Sequence, residues 1–249
     1  MTRLADWRQA GIIPPAPQTI TRAAIAGVIA LTATLSPASA NGSFQFQMDD
    51  VSQATLDIAS TEMVLYRTLD SWPEEMISLS IEVTAAPKEA GDEDFAYTLE
   101  PRFYTEWLDI SLDKLVSRDA GALDGYRLSY PEEKMPGAPT QMPAAIYQFF
   151  HGGIETLSLA LDHLGGGVYD LSATGTAEFD MVFDIQTQVR LSEFIVTRDD
   201  NENANDPEVE AEMNRLLDTS QVQTEWRNTG GDSRARYRYV ATFPENPTQ

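Results

Sequence analysis

From Phe179 to Leu191 the chain alternates with a period of two. Phe179, Met181, Phe183, Ile185, Thr187, Val189 and Leu191 fall on one face, and Glu178, Asp180, Val182, Asp184, Gln186, Gln188 and Arg190 on the other. Successive side chains of a β-strand point to opposite faces, so this pattern predicts a long strand with one buried side. Shorter runs repeat it. Phe44, Phe46 and Met48 alternate with polar neighbours, as do Ile77, Leu79, Ile81 and Val83, and again Phe95, Tyr97 and Leu99. Val222, Thr224 and Trp226 form another such run, and Ala235, Tyr237, Tyr239, Ala241 and Phe243 the last. Strands buried on both faces of a parallel sheet read as continuous apolar runs, whereas clean alternation belongs to antiparallel sheets with one wet face. The expected fold is therefore a β-rich α+β domain, built on a large curved antiparallel sheet or partial barrel with two or three packed helices.

Three segments carry helical spacing. Ser111 to Ala122 places Leu112, Leu115 and Val116 on one side, and Met142 to Phe150 places Met142, Ile146, Phe149 and Phe150 in one stripe before Gly152-Gly153. Pro207 to Leu217 is the clearest, with Asp206 as its cap, Pro207 in its first turn and Val209, Met213, Leu216 and Leu217 as its buried side. Glu155 to Leu164 suits helix or strand. The turn-forming Gly165-Gly166-Gly167 that follows favours a strand, paired in a hairpin with Val168 to Thr174. Pro87 to Asp94, Pro131 to Pro143 and Thr197 to Asp206 read as loops, and the proline-rich one is the candidate boundary between two subdomains, 42–133 and 142 onward.

The N-terminal segment changes the picture from fold to destination. Arg22 precedes thirteen uncharged residues, Ala23 to Leu35, followed by Pro37 and the small-residue sequence Ala38-Ser39-Ala40. A basic flank, a short apolar core and a small-x-small end make a secretory signal peptide, residues 1–40, and the core is too short for a comfortable membrane span of about 20 residues. The leader ahead of that core is long, so an uncleaved anchor stands as the alternative. With export comes a periplasmic or secreted bacterial location. The chain has no cysteine, which rules out disulfides, thiolate metal sites and cysteine nucleophiles. Its net charge of −22 repels phosphate backbones, so nucleic acid is not an expected partner. Such acidity reads first as a soluble surface, and second as a sink for cations or a basic partner.

Candidate chemistry is sparse. Counting Asp199 as the first position of a calcium loop puts Asn201, Asn203, Asn205 and Glu210 at positions three, five, seven and twelve. This spacing resembles an EF-hand loop over those twelve residues, and calcium is the one cofactor it implies. Ala204 stands where the loop's glycine belongs, Pro207 occupies its ninth position, and a strand precedes it. The competing reading is a strand-to-helix connection whose acids favour the helix N-terminus. Arg234, Arg236 and Arg238 project from one face of a strand, suited to a carboxylate or phosphate ligand or, more simply, to a row of acids on the adjacent strand, for which Glu178, Asp180 and Asp184 are the natural complement. His151 and His163, expected in different elements, do not make a metal pair, and no nucleophile elbow or phosphate loop is present. Phe103, Tyr104 and Trp107 read as core. The expected function is a non-enzymatic exported protein that binds a small molecule or an envelope partner. A hydrolase of envelope or extracellular polymers and a membrane-anchored accessory subunit remain the alternatives.

Overall fold

The computed structural model describes residues 42–48, 51–70, 75–91, 96–105, 108–132, 142–199, 201–229 and 236–244. The described residues form one compact unit. Its strands are β1 (Ser43–Met48), β2 (Val51–Leu69), β3 (Met76–Ala85), β4 (Lys88–Gly91), β5 (Ala96–Leu99), β6 (Arg102–Thr105), β7 (Leu108–Ser111), β8 (Tyr126–Tyr130), β9 (Ala144–Gln148), β10 (Phe150–Gly165), β11 (Val168–Ala177), β12 (Met181–Arg198), β13 (Gln223–Asn228) and β14 (Tyr237–Thr242). Among the described residues one α-helix, α1 (Pro207–Leu216), lies between β12 and β13.

The sheet closes on itself. The order β1-β2-β3-β6-β9-β10-β11-β12 returns to β1 through the β1–β12 pairing, an eight-stranded closed barrel. All but one of its pairings are antiparallel. The exception is instructive: β1 is a short wedge between the first halves of β2 and β12, and beyond it those two long strands pair directly and in parallel, Met63–Leu69 with Leu191–Arg198. Past the end of β11, β12 takes β14 as its other neighbour, and β14 carries β13. β4 and β5 form a separate two-stranded ribbon.

Alternation fills the interior. Phe44, Phe46, Met63, Leu65, Phe103, Tyr169 and Phe183 are fully buried. The rings of Phe103 on β6 and Phe183 on β12 meet at 5.7 Å although their strands are not neighbours in the ring, so side chains span the barrel from wall to wall. A small second cluster of Val64, Ile195 and Val240 lies apart from this core, with Tyr66 packed against it.

The helix is where the sequence places it. Asp206 accepts the Glu208 N–H at 2.9 Å and the Val209 N–H at 3.4 Å, satisfying donors that the first turn leaves without intrahelical partners. Val209, Met213 and Leu216 enter the main core, and Trp226 on β13 donates its indole N–H to Glu210 at 2.9 Å. Asp206→Ala is expected to lower the unfolding free energy by about 1 kcal/mol, read as a lower denaturation midpoint with an unchanged m-value.

The other two expected helices are not helical. Met142 to Phe150 contains β9 and the start of β10, and Ser111 to Ala122 contains the end of β7, a 3-10 turn at Leu112–Lys114 and irregular chain. In the first, Ile146 is buried while Met142, Phe149 and Phe150 are exposed. Their helical spacing is therefore not the spacing of a core. In the second, Leu112 and Leu115 only edge the core and Val116 faces solvent. The loop expected at Pro87 to Asp94 holds β4. Among the described residues no helix is long and apolar enough to cross a membrane.

Candidate functional site

Two hairpin turns meet at one end of the barrel and hold aromatic side chains outward. Between β9 and β10 the turn is reduced to Phe149, because Gln148 and Phe150 already face each other in the register. Between β11 and β12 it is Glu178–Asp180. Phe149 has φ 66°, Phe179 has φ 65° and Asp180 has φ 51°. The left-handed region costs an ordinary L-residue roughly 1–2 kcal/mol, and turns normally fill it with Gly, Asn or Asp. Here two phenylalanines occupy it, and their side chains stand 51% and 54% exposed. Backbone strain and solvent-facing rings both count against them in the free protein, and strain of this kind clusters at ligand clamps and binding sites.

The surroundings keep the rings in place. The Glu178 N–H donates to the Gly153 carbonyl at 3.0 Å, and the Gly153 N–H donates to the Glu178 carboxylate at 3.0 Å, clamping the second turn to β10. Phe179 meets Phe150 edge-on at 4.4 Å, and Phe149 meets Tyr97 edge-on at 6.0 Å. Beside them the ring of His151 on β10 lies 4.9 Å from Tyr147 and 6.0 Å from Tyr104, whose hydroxyl bonds its Nδ1. Met142, Tyr147 and Val182 add exposed apolar surface, and Glu155, Glu178 and Asp180 supply exposed carboxylates among them. This aromatic rim is a preformed, acid-framed apolar surface. Its exposed rings and carboxylates equip it for contact.

The residues singled out from sequence lie elsewhere. Asn201 is buried, with its side-chain amide donating to the Tyr237 carbonyl at 3.1 Å and its Oδ1 accepting from the Asn203 N–H at 3.2 Å. It fixes the start of β14. Glu210 is on α1, bonded to Trp226, and Asn205 adopts φ 66° just before the helix cap. Asp199 closes the end of β12 as a turn residue. The positive charge at this corner is Arg198, which pairs with Asp70 at 2.8 Å, Asp206 at 3.4 Å and Glu208. Its hydrogen bond to Glu208, helped by Asp206 and Asp70, raises its already high pKa. A guanidinium thus gathers the corner's carboxylates. Among the described residues no three His, Asp or Glu side chains gather to hold a metal ion.

Arg234 lies outside the described residues. Arg236 is exposed at the mouth of β14, where its N–H donates to the Asn201 carbonyl at 2.8 Å. Arg238 sits opposite Arg227 of β13 and beside Tyr66, whose phenol is pushed up by burial, against the pull of Arg238. The acids expected to face this row do not. Register places Glu193 of β12 opposite Thr242 and Glu225 of β13 opposite Val240, and both pair with Arg227, at 2.5 and 2.6 Å. Glu178, Asp180 and Asp184 are at the other end of β12. His151 and His163, expected in different elements, both lie on β10. Phe103 is core as expected, whereas Tyr104 belongs to the rim.

The rim itself was missed as a site, although its residues carried a signal. The run Tyr147, Phe149, Phe150 and the nearby Phe179 hold more aromatic bulk than their strands' alternation can bury. Comparison with protein families, curated proteins and solved structures gives no match to this chain.

Proposed function

We propose that the protein is an exported, non-enzymatic binding barrel that docks an apolar and basic partner segment on its aromatic rim. The observation that carries this reading is the pair Phe149 and Phe179, two bulky residues kept in left-handed backbone and half in solvent at adjacent turns. Rigid aromatic anchors of this kind dominate the energetics of protein interfaces. The filled interior speaks for contact at the rim rather than for a carrier cavity. The net charge of −22, with Glu155, Glu178 and Asp180 at the rim, selects a basic partner over an anionic one. Export rests on the signal-like residues 1–40. N-terminal sequencing of the protein from the periplasm or medium is expected to begin at Asn41, and a chain that retains Met1 in the membrane fraction would move the anchored-subunit reading to first place.

The test of the rim uses the variant Phe149→Asn/Phe179→Asn. Asparagine tolerates the left-handed region, so backbone relief offsets the lost ring contacts and stability stays within about 1 kcal/mol of the parent. Truncating a buried phenylalanine costs about 3–5 kcal/mol. Titration with an amphipathic Leu/Lys peptide is expected to give saturable binding to the parent and at least about tenfold weaker binding to the variant. Equal affinities for the two proteins would show that the peptide follows charge alone, and the rim reading would fall.

A further inference from the structure

The end of the barrel away from the aromatic rim contains a cavity of about 200 Å3, lined by the β10–β11 turn, the turn around Ala120 and the chain that follows α1. Its polar lining is Asp119, His163, Asp218 and Gln221, and its apolar lining includes Ala120, Val222 and Phe243. The wall is firmly built. Tyr169 is fully buried beneath His163, with their rings 4.9 Å apart. Its hydroxyl donates to the Ala120 carbonyl at 2.6 Å and accepts from the Leu123 N–H at 3.2 Å. Burial pushes this phenol up to about 12, so it remains a donor at any ordinary pH.

Both carboxylates are kept charged. The Ser117 hydroxyl at 2.6 Å and the Gly121 N–H at 2.8 Å both bond Asp119 Oδ1 and hold its pKa below the usual range. Both bonds fall on one oxygen, which leaves Oδ2 as an acceptor. Asp218 is held low in the same way by Ser220. The nearby arginines make their hydrogen bonds to backbone, while the charge of Arg118 also reaches Asp218. Arg118 bonds the Asn214 and Leu217 carbonyls at the end of α1, and Arg190 bonds the Gly166 and Pro244 carbonyls in the cavity wall. Gly121 keeps the space open between acid and imidazole: a Cβ there would stand 2.9 Å from His163 Nδ1 and 3.1 Å from Asp119 Oδ1.

We propose that this cavity binds a small alkylammonium, its N–H groups directed at Asp119 and Asp218 and its carbon chain laid on Ala120, Val222 and Phe243. A cavity of 150 Å3 accepts benzene, so this one suits a ligand of roughly six to eight non-hydrogen atoms. Both carboxylates are exposed at the mouth of this half-open pocket, so they meet the ammonium there while the apolar floor takes its carbon chain and adds the selectivity for carbon that a bare metal ion lacks.

The two histidines make the experiment readable. The full chain is titrated with putrescine at physiological salt while the ring resonances of His163 and His151 are followed by NMR. The expected result is a saturable shift at His163 with none at His151, weakened about tenfold or more by Asp218→Asn, the loss that follows from one charge-assisted hydrogen bond. Gly121→Ala is expected to abolish the shift, and butyrate to give none. The Asp218 side chain bonds only Ser220 in its own turn, and its backbone bond to the Arg118 carbonyl survives the substitution, so Asp218→Asn keeps the fold if Asp119→Asn disturbs the neighbouring turn. Equal shifts at both histidines, or binding that survives Asp218→Asn and Gly121→Ala, would reveal only a diffuse cation atmosphere around an acidic protein and overturn the proposal.

Discussion

Gly175→Ala is expected to destabilise the barrel by more than about 4 kcal/mol, because its added carbon makes the closest backbone approach among the described glycines. Gly175 faces inward on β11, where the barrel wall is tightest. A Cβ at that position would stand 1.9 Å from the Thr156 carbonyl oxygen, 2.8 Å from its carbon and 3.1 Å from the Phe183 ring. The first two are backbone atoms of β10, held in the register by Leu157↔Gly175 and Thr156↔Thr176, so no rotamer change relieves the clash. Relief requires β10 and β11 to separate at the bulge between Ile154 and Thr156, and closure of the barrel depends on that pairing. Gly165→Ala serves as the control. Gly165 has φ 106° but nothing within 4 Å of the added carbon, so its substitution costs backbone strain alone, roughly 1–3 kcal/mol. Chemical denaturation of the two variants distinguishes these mechanisms. Similar midpoints would mean that β10 and β11 do not approach as closely as described.

Gly175 also shows where the sequence stops being legible. The strand from Val168 was expected to end at Thr174, since a glycine usually marks a break, yet β11 continues through it because another backbone passes there. The same bulges explain a larger omission. β2 is nineteen residues long and was not anticipated, because its buried set changes parity: Leu56 and Ile58 point inward, then Met63, Leu65 and Arg67, with a bulge between Ile58 and Ser60. β12 shifts in the same way after Leu191, so that Phe194 and Val196 follow an odd-numbered run, and β10 shifts after Ile154. Strict period two holds only between bulges, and a long barrel strand needs bulges to bend. Clean runs such as Ile77 to Val83 were therefore legible, and so was α1, whose cap and apolar stripe are local. The rim was misread because its exposed aromatics imitate a helical stripe. A pattern argument assigns every large apolar residue to a core, and Phe149, Phe150 and Phe179 lie outside it.

Glu212→Ala is expected to cost about 3–5 kcal/mol, because it strands a buried cation. Arg67 points inward on β2 with its side chain 8% exposed, and it meets Glu212 of α1, 11% exposed, at 2.9 Å. A further bond from Arg67 to the Met76 carbonyl at 3.0 Å fixes the guanidinium, and Arg215 caps the same carboxylate from solvent at 2.7 Å. This pair connects the helix to the barrel wall. Replacing both partners by apolar residues, Arg67→Met with Glu212→Leu, is expected to recover most of the loss, since burying two paired charges gains little over burying hydrocarbon. If the double variant is no more stable than Glu212→Ala, the pair contributes net energy and this account of it fails. The pH dependence has a definite sign. Arg215 first, then Arg67, holds the Glu212 carboxyl below its ordinary value. A carboxylate with a depressed folded-state pKa contributes stability that is complete above its unfolded value, near 4.5, and is lost as pH falls through the folded one. Acid should therefore loosen the parent more steeply than the Met/Leu variant below about pH 4.5. Because α1 packs on β12 and β14 rather than on the turns that carry Phe149 and Phe179, peptide binding at the rim is expected to be equal in the two proteins at neutral pH.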